Sequence, residues 1–187
     1  MKNLLFGLAF LLVPLQASCQ KTFFSLGPKL VFPGSGTDLK LNAGAGMGAS
    51  VRVESRWGKH FAGMATVSYL AFPKKDHNEP GLQGNTTKVK LVPVQLGLKY
   101  YALERNGKPK GFFASLEAGL MPSTTHFTFP SNPDYKYKET GLSSAIGIGY
   151  LFWHIETSFR IQYNLTASGF NAYYYDVTLA YAFLRQH

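Results

Sequence analysis

The sequence predicts an all-β fold, a single closed antiparallel up-and-down β-barrel of about eight strands. Three observations predict it. Apolar residues recur at every second position through most of the chain, segments rich in Gly, Pro, Asn, Asp and Ser separate these stretches, and helical spacing is nearly absent. A period of two is typical of strands whose two faces meet different surroundings.

The first nineteen residues are predicted to be an export signal peptide rather than part of the fold. Lys2 gives a positive start, residues 4–15 form an apolar run, and the small residues 17–19 resemble a cleavage site. Its removal leaves residues 20–187 as one domain. Cys19, the one cysteine, is either the last residue of the signal or the lipidated first residue of a lipoprotein. Gln16 disfavours lipidation because the lipoprotein motif has Leu there.

The first two predicted strands cover residues 22–32 and 41–54. The apolar face of the first strand consists of Phe24, Leu26, Leu30 and Phe32. In the second strand the apolar residues alternate without a break against small and charged ones, and they are Leu41, Ala43, Ala45, Met47, Ala49, Val51 and Val53. This two-faced pattern indicates a long strand between unlike environments.

The third and fourth predicted strands cover residues 61–72 and 92–101. The third alternates weakly, and its proposed outer face consists of Phe61, Ala65, Val67 and Tyr69. The outer face of the fourth consists of Val92, Val94, Leu96, Leu98 and Tyr100. Pro93 has no N–H to donate to a neighbouring strand, so we expect a bulge or local break there.

The last four predicted strands cover residues 112–120, 141–152, 154–165 and 173–183. The third of these alternates most regularly, with an apolar face made of Ile155, Thr157, Phe159, Ile161, Tyr163 and Leu165. Its opposite face is polar throughout and consists of His154, Glu156, Ser158, Arg160, Gln162 and Asn164. The other three strands show the same division into an apolar face and a small or polar face.

Strand length and the composition of the polar faces favour a transmembrane barrel. At about ten to fourteen residues, the strands exceed the usual length in soluble sheets and match a tilted crossing of the hydrocarbon layer. The polar faces are rich in Gly, Ser and Ala, and they also carry four cations and four anions: Lys29, Arg52, Lys99, Arg160, Glu54, Glu117, Glu156 and Asp176. Because desolvated charges must be paired, equal numbers predict an interior charge network.

Aromatic residues at the strand ends predict two girdles at the level of lipid headgroups. One predicted rim consists of Phe24, Trp57, Phe61, Tyr100, Phe112, Phe152, Trp153 and Phe183, and the other of Phe32, Phe72, Tyr163 and Tyr173. Short connections at residues 55–60, 103–111 and near 153 alternate with longer ones at 33–40, 73–87 and 121–140. Short periplasmic turns and longer external loops are typical of membrane barrels, although the last external link, 166–172, is brief.

The chain is basic, with 19 Lys and Arg against 10 Asp and Glu. A positive balance can indicate nucleic acid, anionic lipid or acidic polysaccharide as a partner. We set nucleic acid aside because the protein is predicted to be exported and no cationic run exceeds Lys74-Lys75. Lys88 and Lys90 are predicted to point outward beside the external rim, where they could contact lipopolysaccharide phosphates.

Several stretches resemble the outer-membrane β-barrel domain (porin-like) family, and in particular the small OmpX-like eight-stranded barrels of Gram-negative bacteria. The similar stretches are KLVPVQLGLKYY at 90–101, FASLEAG at 113–119, LSSAIGIGYLF at 142–152 and the closing aromatic strand. The resemblance implies a protein of the cell envelope, located in the outer membrane, with membrane lipids, lipopolysaccharide and the barrel-assembly machinery as partners. Such barrels commonly end on an aromatic residue, whereas here four residues follow Phe183.

The sequence predicts no catalytic, cofactor-binding or metal-binding residue. His154, Glu156 and Ser158 share a strand face, but positions two apart lie about 6.5 to 7 Å apart, beyond hydrogen-bond reach. Glu117 and Glu156 are more simply explained as salt-bridge partners of interior cations than as paired catalytic acids. The histidines lack metal-ligand spacing.

We therefore expect a non-enzymatic outer-membrane barrel with a narrow, side-chain-filled interior, and with a structural, adhesive or surface-interaction role carried by external loops. Two alternatives stay open at this point. One is a lipid-modifying barrel enzyme, which needs a nucleophile, a base and a carboxylate gathered near one rim. The other is a soluble periplasmic lipocalin-like binding barrel, which needs the apolar faces inside.

Overall fold

The computed structural model describes residues 22–35, 37, 39, 43–57, 59–77, 85–102, 104–105, 108–109, 111–129, 132–166 and 171–185. The predicted signal peptide and Cys19 lie outside these residues. The strands are β1 Thr22–Pro33, β2 Gly46–Trp57, β3 Phe61–Ala71, β4 Lys75–His77, β5 Asn85–Leu91, β6 Val94–Tyr101, β7 Glu104–Arg105, β8 Lys108–Pro109, β9 Gly111–Phe129, β10 Asn132–Phe152, β11 Ile155–Leu165 and β12 Asn171–Arg185. The described part of the chain contains no helix with the length and apolar character of a membrane span.

The strands close into one antiparallel barrel. Each long strand pairs with the next one along the chain. β5 and β6 together form a single segment of the wall, so the wall has eight such segments, which we call staves. β1 pairs with β12 to complete the ring. β4 adds a short extra strand beside β5, and β7 and β8 form a separate hairpin. The predicted fold class is confirmed. Closure leaves no free sheet edge around the ring, as a barrel in lipid requires.

Side chains alternate between the outside and the lumen along most of each long strand. Ile155, Phe159 and Leu179 are 49%, 42% and 52% exposed on the outer wall, whereas Arg160 and Glu117 are 0% and 1% exposed. The apolar faces therefore point outward and the charged faces inward, the reverse of a soluble barrel. This observation contradicts the lipocalin-like alternative, since that fold buries its apolar faces in the centre.

The two ends of the barrel differ. The first and last described residues, Thr22 and Arg185, lie at the same end as the connections after β2, β6 and β10, and we call this the terminal end. The connections after β1, β3, β9 and β11 lie at the other, which we call the loop end. All eight aromatics predicted for the terminal-end girdle are exposed. At the loop end Phe32 and Tyr163 are exposed and Tyr173 half-buried, but Phe72 is buried inside the lumen, so its predicted place on the girdle is wrong.

Two predicted boundaries are also wrong. Residues 121–140 were expected to form a loop, but β9 and β10 continue through most of this segment as a paired hairpin. The two strands continue because each added residue on β9 still has a backbone partner in register on β10, even where apolar alternation has ended. The second strand begins at Gly46 rather than at residue 41, and Ala43 is buried instead of facing outward.

The break expected at Pro93 is present. β5 ends at Leu91 and β6 begins at Val94, and at the gap the Ser68 amide donates to the Pro93 carbonyl at 2.9 Å. The Val92 amide donates to the Pro122 carbonyl, also at 2.9 Å. Because the inward and outward positions keep their parity across the gap, β5 and β6 act as one stave.

Candidate functional site

The eight charged residues predicted for the interior all lie on inward positions of the barrel wall. Each is at most 4% exposed. They are contributed by six staves, so the wall brings together residues that are far apart in sequence. They divide into two neutral groups, a lower one nearer the terminal end and an upper one nearer the loop end.

The lower group consists of Arg52, Glu54, Lys99 and Glu156. Lys99 Nζ donates to Glu54 Oε1 at 2.6 Å and to Glu156 Oε2 at 2.7 Å, and Arg52 donates to the other oxygen of Glu156. The Lys99 ammonium also lies 3.8 Å from the centre of the Phe113 ring. Within this group two cations thus balance two anions.

The upper group consists of Lys29, Glu117, Arg160 and Asp176. Arg160 Nη1 donates to Glu117 Oε1 at 2.5 Å, and Arg160 Nη2 donates to Asp176 Oδ2 at 3.1 Å. Lys29 Nζ lies 3.5 Å from Asp176 Oδ1. Arg160 is thereby held between two carboxylates by the fork geometry that makes guanidinium suited to such bridging.

A layer of neutral polar side chains lies between the upper group and the loop end. Gln95 and Gln162 both donate to the Ser143 hydroxyl, at 3.0 and 2.7 Å, and Asn164 donates to the Ala172 carbonyl at 3.2 Å. These four polar side chains come from three different strands, so the layer joins distant parts of the wall.

Apolar side chains occupy both ends of the lumen. At the loop end they form a buried cluster of Val31, Leu39, Ala43, Leu70, Phe72, Val89, Leu91, Met121, Ala172 and Tyr174. At the terminal end the cluster is Ala62, Tyr101, Phe113, Leu151 and Ala182. Leu39 and Ala43 belong to the connection between β1 and β2, so this loop folds into the mouth of the barrel. An eight-stranded barrel is just wide enough for side chains, and these layers follow one another from one end of the lumen to the other.

Sequence reasoning missed the contribution of Tyr101. Its hydroxyl donates to Glu54 Oε2 at 2.6 Å, and Lys99 and Arg56 lie 5.0 and 5.8 Å from its ring centre. The sequence does contain a signal for this role of Tyr101. It lies two residues after Lys99, and residues two apart on a strand point to the same face.

The three residues that superficially suggested catalysis are not assembled. The Glu156 carboxylate is engaged by Arg52 and Lys99, and His154 Nδ1 lies 3.1 Å from the Ala182 carbonyl. The buried Ser158 hydroxyl has no hydrogen-bond partner among the described residues. A nucleophile needs a base within hydrogen-bond reach, which Ser158 lacks here. No cluster of metal-ligating side chains occurs within the described ranges.

The two lysines predicted to contact lipopolysaccharide lie outside the lumen near the loop end. Lys88 is exposed and Lys90 half-buried, both on the outward face of β5. Together with Lys74, Thr86, His126 and Thr128 they line a shallow recess of about 220 Å³. The described residues thus form an ion-paired interior with an apolar cluster towards each end, and they place a group of basic side chains on the outer surface.

The fold and this interior define a class, the outer-membrane eight-stranded β-barrel fold. The N-terminal β-barrel domain of Pseudomonas aeruginosa OprF has it, with a TM-score of 0.58 and 11% identity over 88% of this chain and 99% of that one. Neisserial surface protein A is similar at a TM-score of 0.50, with 12% identity over 86% of this chain and 95% of that one.

The attachment invasion locus protein of Yersinia pestis, Ail, in complex with the heparin analogue sucrose octasulfate, is similar at a TM-score of 0.62. Its identity to this chain is 11%, over 87% of this chain and 98% of Ail. No protein-family model and no curated sequence matches the chain. Likeness at this level of identity establishes the fold and leaves function to the residues.

Proposed function

We propose that the protein is a non-enzymatic, non-conducting barrel of the outer membrane, and that its role is exerted by the surface it presents at the loop end. The single observation that carries this proposal is the inversion of the barrel, with apolar side chains on its outer wall and two neutral ion-pair groups inside. Such a wall is stable against acyl chains and unstable in water. The solved neighbours are outer-membrane proteins, which supports this location.

The sealed lumen argues against solute transport. Apolar clusters lie at both ends, and the eight charged residues of the two groups between them are engaged in ion pairs. Ions passing through would have to break these pairs in a low-dielectric interior, at a cost of several kcal/mol for each uncompensated charge.

The external surface carries an exposed hairpin that suits an adhesive or structural role. β9 and β10 continue past the barrel wall as a hairpin on which Tyr135 and Tyr137 are 57% and 38% exposed. Exposed aromatics of this kind are typical of binding surfaces. Ail, a structural neighbour, is an attachment protein, which agrees with this role. We also infer that folding in the membrane depends on the barrel-assembly machinery.

Two measurements test the proposal. The protein should fractionate with the outer membrane. It should also migrate differently on a denaturing gel when unheated than after boiling, because a closed ring of backbone hydrogen bonds resists unfolding by detergent. Reconstituted in a planar bilayer at a concentration where a known porin gives discrete steps, it should give none. Recovery in the soluble periplasm would refute the membrane assignment, and porin-like steps would refute the sealed lumen.

A further inference from the structure

Basic side chains form a two-row patch on the outer wall near the loop end. Lys88 on β5, His126 on β9 and Lys136 on β10 are register partners across three adjacent strands. In the next row, Lys90 and Lys138 flank Thr124 in the same way. We call these four lysines and His126 the lysine ladder. The sequence suggested only Lys88 and Lys90, because the two lysines of β10 become neighbours only through this register.

The ladder has the dimensions of a phosphate-binding surface. Neighbouring strands are about 4.8 Å apart and successive outward residues about 6.5 to 7 Å apart, so the four lysines mark a rectangle of roughly 10 by 7 Å. Thr86 and Thr128 continue the patch with hydroxyls, and Lys74 borders it in the recess of about 220 Å³. In the described ranges, none of the four lysines takes part in a salt bridge.

The height of the ladder indicates the kind of anion. On the same three staves, the outward residues Val94 of β6, Leu120 of β9 and Leu142 of β10 are register partners and form the last aliphatic row. With strands tilted by about 40°, the two lysine rows lie roughly 10 and 15 Å above that row along the membrane normal. Lysine stems can bend by several ångströms towards an interface, so their ammonium groups reach the headgroup level. A ligand there has its acyl chains beside the aliphatic wall and its phosphates beside the lysines.

We propose that the lysine ladder binds the phosphate groups of lipopolysaccharide in the leaflet surrounding the barrel. The inference rests on the proposed membrane location and names the partner of that outer surface. Ammonium groups bind phosphate as point charges, and two rows of them can engage two phosphates of one glycolipid at once. A free sulfated or phosphorylated polymer would use only the charges and gain nothing from the aliphatic wall below them.

The test compares the wild type with the variant Lys88→Gln, Lys90→Gln, Lys136→Gln and Lys138→Gln. Each lysine near an anionic surface contributes about fivefold in affinity. Allowing for the screening of these charges by salt, we expect the variant with four substitutions to bind lipopolysaccharide in nanodiscs at least about tenfold more weakly than the wild type. Dephosphorylated lipopolysaccharide should bind both proteins alike. Lys59→Gln is the matched control, because Lys59 is an exposed lysine in the turn at the terminal end.

The outcomes are separable. Insertion into vesicles and the heat-dependent gel shift report on the membrane barrel, and failure there would defeat the proposed function. If both proteins insert but bind phosphorylated lipopolysaccharide equally, the ladder proposal is refuted and the membrane barrel stands. Inositol hexakisphosphate serves as a free polyphosphate probe. If it binds the wild type as tightly as the lipid does, a soluble polyanion replaces lipopolysaccharide as the ligand.

Discussion

At the scale of single residues, the lumen is stabilised by pairing rather than by the mere presence of charge. Removing an ion from water costs several kcal/mol, and only close, hydrogen-bonded partners recover that cost. Arg160 is the clearest case, since it is 0% exposed and contacts the carboxylates of Glu117 and Asp176. Lys29 is the second cation beside Asp176, so Glu117 depends most strongly on the arginine.

Arg160→Met should therefore lower the free energy of unfolding by about 3 to 5 kcal/mol, because it leaves a buried carboxylate without a partner. Denaturant titration in detergent micelles, followed by tryptophan fluorescence, measures the change. The matched variant adds Glu117→Gln, which restores neutrality while Lys29 continues to pair with Asp176. It should recover most of the loss, and a single variant as stable as the wild type would contradict the pairing.

Tyr101 permits a second test, because its neighbour Tyr100 has the same side chain on the opposite face of the wall. Tyr101→Phe removes the hydrogen bond to Glu54 and should cost about 1.5 to 3 kcal/mol, the usual range for a bond to a charged group. Tyr100→Phe changes an exposed ring at the rim and should cost much less. The same titration decides, and equal losses would show that the inward hydroxyl is unimportant.

At the scale of elements, the sequence predicts faces better than lengths or pairings. The third strand alternates weakly, yet its predicted outward residues Phe61, Val67 and Tyr69 are all exposed, because period-two geometry fixes every face once one residue is placed. The extension of β9 beyond Leu120 was not predictable, since Pro122, Ser123 and Thr124 carry no apolar alternation. The set of inward charged residues was predictable from their alternate positions along each strand. The partner of each charge depends instead on the register between strands.

The outer wall of β10 allows a test of membrane depth within one strand. Ile146 lies near the middle of the aliphatic band and pairs with Leu116 and Ile161, whereas Thr140 lies beyond the end of that band. Ile146→Lys should cost about 2 to 4 kcal/mol in lipid vesicles, and Thr140→Lys only about 0 to 1 kcal/mol. Reversible unfolding in vesicles measures both. Equal costs would contradict the placement of the band in hydrocarbon.

At the scale of the whole molecule, the layers of the lumen follow one order from end to end. An apolar cluster at the terminal end is followed by two ion-pair groups, a layer of amides and a second apolar cluster. Every layer takes side chains from several staves, so none exists until the ring has closed. The stability of the interior and the closure of the sheet are therefore one property.

Closure depends on the seam between the first and last strands, which a disulfide can report. Phe24 and Phe183 are register partners across that seam and both are exposed at the terminal-end rim. Facing residues of antiparallel strands have Cα atoms about 4.5 to 5.5 Å apart, within the range that a disulfide spans. The chain from Gln20 onward holds no other cysteine, so Phe24→Cys with Phe183→Cys should cross-link on mild oxidation and run faster on a denaturing gel without reductant.

The matched control for the seam is Phe24→Cys with Phe61→Cys, which replaces two rim aromatics that are two strands apart. That pair exceeds the roughly 7 Å limit for a disulfide and should stay reduced in the folded protein. Failure of the seam pair to cross-link, in samples that insert into vesicles and with the control also reduced, would mean that β1 and β12 do not meet. The sheet would then be open, and an open edge cannot be satisfied in lipid because each unpaired backbone group costs several kcal/mol.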